Sequence, residues 1–82
     1  MSPKDIQSQV TKIIAGTMNL AVPGPEADLV ASGQLDSLAL VDLLMHLEHS
    51  FGISVALENV EIDDFRSVTK ITGLVGRYLK AA

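Results

Sequence analysis

Ser37-Leu38-Ala39-Leu40-Val41-Asp42-Leu43-Leu44-Met45-His46-Leu47-Glu48-His49-Ser50 is the stretch that decides the fold. It holds no glycine or proline, and Leu40, Leu44, Leu47 and Phe51 recur at the spacing of one helical face. A helix is therefore predicted from Ser37 to about Ser50, with Gly52 as its C-terminal cap. Leu38, Val41, Leu43 and Met45 widen the apolar stripe beyond one seam. Such a helix is either central in the fold or keeps apolar surface for a partner.

Upstream, residues 18–36 carry Pro23, Gly24, Pro25 and Gly33, which cannot all sit in one regular helix. A long loop is expected there, pinned to the core by Leu20, Val22, Leu29, Val30 and Leu35. Before it, Ser2, Pro3 and Asp5 form a helix start, and Ile6, Val10, Ile13 and Ile14 make one apolar stripe that ends near Gly16 and Thr17. Downstream, Ile53, Val55 and Leu57 alternate like a strand but have no second strand signal to pair with, so Ile53 to Arg66 reads as loop. Within it Asn59 could cap a short helix over Val60 to Asp64, with Val60, Ile62 and Phe65 facing inward. A last helix follows, capped by Ser67 or Thr69, with Ile71, Leu74, Val75, Tyr78 and Leu79 as its stripe and Arg77 and Lys80 at the end where cations suit the dipole. The expected architecture is all-α: a small four-helix bundle of three long helices and one short, with a long first loop, in one domain spanning 1–82.

Composition narrows the function. At 82 residues the chain is too short for two independent cores. It is 48% hydrophobic and 20% charged, enough apolar surface to fold, and the core must be aliphatic because aromatics are 4% and tryptophan is absent. A formal net charge of −4 with scattered basic residues lacks the electrostatic footprint of a nucleic-acid binder. No window approaches the roughly 20 apolar residues of a membrane span, and the N-terminal residues carry no signal-peptide core, so a cytoplasmic protein is expected. With no cysteine in the chain, any thiol chemistry must arrive on a cofactor.

The chemistry concentrates at Gly33-Gln34-Leu35-Asp36-Ser37-Leu38, where the loop meets the central helix. A serine at a helix N-terminus presents its hydroxyl beside unpaired backbone N–H groups and the positive end of the dipole, surroundings that suit an attached phosphate. Ser37 has no obvious base within its own chain to activate it, so it reads as the substrate of another enzyme. Position alone also allows Ser37 to be only an N-cap, since Ser and Asp are both preferred there.

Leu35-Asp36-Ser37-Leu38, the helix after it, Phe51-Gly52-Ile53, and Phe65-Arg66-Ser67-Val68 together resemble the acyl carrier protein family over nearly the whole chain. The resemblance implies that Ser37 carries 4′-phosphopantetheine, taken from coenzyme A by a magnesium-dependent phosphopantetheinyl transferase, with Asp36 the aspartate of the motif. It also implies a docking face at the loop end and central helix, with Leu35, Leu38, Val41 and Asp42 as candidates. Expected partners are the transferase, an acyl- or aminoacyl-activating ligase and a downstream acyltransferase. The thiol would sit on the arm, so the chain itself would not be an enzyme. The central helix has only Asp42 and Glu48 as acids, fewer than fatty-acid-synthesis carriers typically present, and the segment from Phe51 to Ile71 resembles D-alanyl and other aminoacyl carriers.

Other readings compete. Asp42, His46 and His49 could share a face and suggest a metal, but three groups on one exposed helix lack a supporting shell, and no metal site is expected. Glu58, Glu61, Asp63 and Asp64 read as a solvated acidic turn without EF-hand spacing. A serine hydrolase would need His46 or His49 near Ser37, yet both lie turns away along the same helix at roughly 1.5 Å of rise per residue, and the nucleophile elbow is missing. The remaining alternative is an unmodified helical docking module. A monomer is expected.

Overall fold

The computed structural model describes residues 2–81, apart from the side chains of Leu57 and Ala81. Three α-helices carry the chain: α1, Pro3–Lys12; α2, Ser37–Phe51; and α3, Val68–Ala81. Among the described residues no β-strand occurs, so the fold is all-α.

The start of α1 follows the sequence signals. Ser2 is extended and its Oγ accepts the Asp5 N–H at 3.3 Å, with Pro3 in the first turn, where its missing N–H costs nothing. After Lys12 the helix loosens into a π-turn, Ile13–Thr17. It stops at Asn19, which takes a left-handed backbone, φ 56°, and Leu20 N–H closes back on the Ile14 carbonyl at 2.9 Å. Ile6, Val10, Ile13 and Ile14 are all buried.

Leu43, Leu44 and Leu47 of α2 enter the core, with Leu40 and Phe51 half-buried at its margin. The wide stripe therefore divides: Leu43 goes inward, while Leu38, Val41 and Met45 stay exposed. Gly52 ends the helix in the left-handed region at φ 65°, and Ile53 N–H bonds back to the Glu48 carbonyl at 3.2 Å.

The expected short fourth helix is instead a 3-10 turn of four residues, Ile62–Phe65, preceded by another at Leu57–Asn59. Glu61, not Asn59, starts it, with Asp64 Oδ2 accepting the Glu61 N–H at 2.9 Å. The later start shifts the phase of the turn, so Ile62 lies 58% exposed rather than inward while Phe65 is fully buried. Ile53 and Val55 do point inward. The side chain of Leu57, the third member of that alternation, lies outside the described residues.

Ser67, not Thr69, caps α3: its Oγ accepts the Lys70 N–H at 3.2 Å. Thr69 ties down the first loop, its N–H donating to the Pro25 carbonyl at 3.1 Å and its Oγ1 donating to Glu26 Oε2 at 2.7 Å. Val68, Ile71, Leu74 and Val75 complete a single, mainly aliphatic core that also takes in Phe65 and, from the loop, Leu29 and Leu35.

Candidate functional site

The loop that delivers Ser37 is fastened along its length. Leu29 N–H donates to the Arg66 carbonyl at 2.7 Å, and Arg66 Nη1 reaches Asp28 Oδ2 at 3.0 Å while its Nε reaches Asp63 at 2.9 Å. The Ala31 amide and then the Arg66 guanidinium hold the Asp28 carboxyl below the ordinary carboxylate range. Hydrogen bonds from Arg66 and Lys70 do the same for Asp63, and Asp28, followed by Asp63, raises Arg66. Asp28 Oδ1 also accepts the Val30 and Ala31 N–H groups at 3.1 and 2.8 Å, forming a tight turn that closes at Gly33, φ 79°. That positive φ is open to glycine and strained for other side chains.

Leu35, one of the four expected docking residues, is only 5% exposed and its N–H bonds the Leu29 carbonyl at 3.0 Å. It cannot offer surface to a partner. The loop folds back on itself at this point and sends the leucine into the core, so Leu35 anchors the motif from below.

Asp36 is the N-cap of α2: its backbone is extended and its Oδ1 accepts the Ala39 N–H at 2.8 Å. Ser37 is the first residue of the helix proper, so the possibility that it serves only as a cap is displaced by its neighbour. The hydroxyl of Ser37 is exposed and makes no hydrogen bond among the described residues. Beyond it, Leu38 is 83% exposed, Val41 46% and Met45 62%. Positions 38, 41, 42 and 45 share one side of a helix, so Asp42 lies among them, paired to His46 Nε2 at 3.5 Å. Glu48 turns away from this face to accept the Val55 N–H at 2.8 Å. Met45, part of the wide apolar stripe but not among the expected docking residues, joins this face seven residues after Leu38.

The structure thus brings Asp36, Ser37, Leu38, Val41 and Asp42 to one end of α2 and withdraws Leu35 from them. The site is a protruding ridge. A groove of about 480 Å³ lies elsewhere, between α1 and α3, lined by Pro3, Ile6, Gly73, Gly76, Arg77, Leu79 and Lys80. A cleft is the usual home of small-molecule chemistry, but a hydroxyl to be modified by another enzyme is better placed on a ridge. The residues present fit a phosphodiester-linked arm: an exposed, uncommitted hydroxyl on the first turn of a helix, where backbone N–H groups and the dipole favour an anion.

D-alanyl carrier proteins of Streptococcus pyogenes, from serotypes M5, M49 and M1, are each 44% identical to this chain over 46 residues, 56% of its length and 58% of theirs. The chain thus spans little more than half the length of the curated relatives it matches. The family model of the phosphopantetheine attachment site matches residues 8–75, most of the chain. The chain belongs to the phosphopantetheine attachment site family, whose cofactor is covalently attached 4′-phosphopantetheine.

Proposed function

We propose that residues 1–82 form one carrier domain that takes its arm on Ser37 and presents an acyl or aminoacyl group to partner enzymes. The observation that carries this reading is the free, exposed Ser37 hydroxyl directly after the Asp36 cap, within a chain of the phosphopantetheine attachment family. In loading, the Ser37 Oγ would bond to the pyrophosphate phosphorus of coenzyme A that bears the pantetheine. The phosphoanhydride bond breaks, adenosine 3′,5′-bisphosphate leaves, and the serine proton passes to a base of the transferase. When bound, the arm supplies the thiol that this cysteine-free chain lacks and holds the cargo as a thioester.

The chain's own residues do the positioning. Asp36 fixes the first turn, Leu35 and Leu29 hold the loop end to the core, and α2 gives the arm a rigid base. Leu38, Val41 and Asp42, with Met45, form the face on which the transferase, an activating ligase and a downstream acyltransferase would dock, since any enzyme working at Ser37 must cover the surface beside it. The partial likeness to D-alanyl carrier proteins favours an amino acid, D-alanine first, as cargo. Of the two acids of α2, Glu48 is turned to the Val55 N–H and Asp42 alone lies beside Leu38, Val41 and Met45, which suits a largely apolar docking contact.

The test is to supply the arm-bearing chain with ATP, D-alanine and a D-alanine-activating ligase and to follow intact mass. A gain of one alanyl group, released by hydroxylamine, supports the aminoacyl reading. No gain with D-alanine, but a gain when an acyl ligase supplies a fatty acid, refutes the cargo.

A further inference from the structure

The entry to α2 is held by a side chain that the loading chemistry does not use. Gln34 Nε2 donates to the Ala21 carbonyl at 3.0 Å, and Gln34 Oε1 accepts the Ala21 N–H at 2.7 Å. One carboxamide thus satisfies both backbone groups of a residue 13 positions away, imitating the double bond exchange of a paired strand residue. Only Asn and Gln side chains carry a donor and an acceptor in that arrangement without charge, and at Gln34 the longer stem spans the gap. Ala21 in turn follows Leu20, whose N–H is fixed to the Ile14 carbonyl at 2.9 Å. Gln34, three residues before Ser37, is thereby tied to the fixed end of the first helical segment. The ties that follow belong to other parts of the fold: Leu35 to the core and the Leu29 carbonyl, Asp36 to the Ala39 N–H. The clamp lies at the surface, where its loss would free the loop end without opening the core.

We propose that Gln34 is a positioning residue for arm attachment, its carboxamide clamp on Ala21 holding the Leu35-Asp36-Ser37 entry in the one orientation a transferase accepts. The inference rests on Ser37 being the attachment point. Without the clamp the entry is competent for only part of the time. The transferase then binds more weakly in proportion to that fraction, and the chemistry of the bound complex is unchanged.

The experiment measures kcat and KM for transfer from coenzyme A by a broad-specificity phosphopantetheinyl transferase, with the intact chain as the varied substrate. Wild type is compared with Gln34→Ala, with Gln34→Glu, which keeps the acceptor for the Ala21 N–H but loses the donor, and with Asp28→Ala, which removes the Arg66 pair and the Asp28 turn while leaving the clamp's own groups in place. Thermal midpoints and hydrogen exchange at the Ala21 amide are recorded alongside. Gln34→Ala is expected to raise KM about fivefold to tenfold with kcat within about twofold, to speed Ala21 exchange and to leave the midpoint nearly unchanged. Gln34→Glu falls between it and wild type, and Asp28→Ala changes KM less than Gln34→Ala does. An unchanged KM in Gln34→Ala overturns the proposal, as does an equal rise in Asp28→Ala or a fall in kcat with a lowered midpoint. Absence of loading in wild type is a separate outcome and strikes at Ser37 as the attachment point.

Discussion

Replacing Asp36 and Ser37 one at a time separates the residue that holds the helix from the residue that would carry the arm. Asp36→Ala removes the Oδ1 that accepts the Ala39 N–H at 2.8 Å, a loss of about 1 kcal/mol within a usual range of about 0.5–2. It also removes a negative charge from the N-terminus of α2, worth about 0.3–1 kcal/mol at low salt. In a domain of this size each kcal/mol moves the thermal midpoint by about 4–8 °C, so Asp36→Ala should melt roughly 5–15 °C below wild type. Asp36→Asn keeps a capping oxygen and should lose only the smaller, salt-dependent part. Ser37→Ala breaks no hydrogen bond among the described residues and places the best helix former in the first helical position, so its midpoint should stay within about 2 °C of wild type or rise. The assay is thermal unfolding by circular dichroism at low and high salt. A Ser37→Ala midpoint as depressed as that of Asp36→Ala would refute the assignment of the cap, and with it the picture of a Ser37 hydroxyl left free for chemistry.

Three further outcomes follow from the packing and the charges. Leu47→Ala, at a fully buried position, should cost about 2–5 kcal/mol in denaturant unfolding, whereas Leu38→Ala on the exposed face should stay within about 0.5 kcal/mol while slowing arm loading; equal costs would refute the division of the α2 stripe. Asp28 and Asp63 have lowered carboxyl values in the folded chain, so their stabilisation is present above the unfolded value and is lost as pH falls through the folded one. Acid titration of stability below about pH 4 should therefore be shallower in Asp28→Asn/Asp63→Asn than in wild type, and an unchanged slope would count against the Arg66 pairs. At Gly52 a Cβ would meet no atom within 4 Å but would sit at φ 65°, so Gly52→Ala should cost about 1–2 kcal/mol through backbone strain alone, and a neutral result would speak against the left-handed cap.

The long periodic segments were legible because burial in a helix leaves a 3.6-residue trace: the stripe from Ile6 to Ile14, the Leu44 and Leu47 face and the Ile71 to Val75 face all reached the core. What periodicity could not resolve was which half of the α2 surface faces inward. Leu43 and Met45 are equally apolar in sequence, and packing against the other helices decides between them. The cap was ambiguous by one residue because Asp and Ser are both good caps, and the choice of Asp36 depends on a backbone geometry that sets its carboxylate on the Ala39 N–H. Leu35 looked like surface because it adjoins the motif. Its burial comes from a fold-back to Leu29 that leaves no periodic mark. The Gln34 clamp was invisible for the same reason: a polar loop residue whose partner lies 13 positions away. The 3-10 turn at Ile62–Phe65 replaced an expected helix because four residues between loops are too few to sustain α-helical bonding.

The central claim, that Ser37 is where this chain carries phosphopantetheine, is tested most directly by intact mass after incubation with coenzyme A, magnesium and a broad-specificity phosphopantetheinyl transferase, with Ser37→Ala in parallel. The account predicts one added phosphopantetheine on wild type and none on the folded Ser37→Ala chain. Loading of Ser37→Ala, or no loading of wild type under conditions that modify a known carrier, would contradict it.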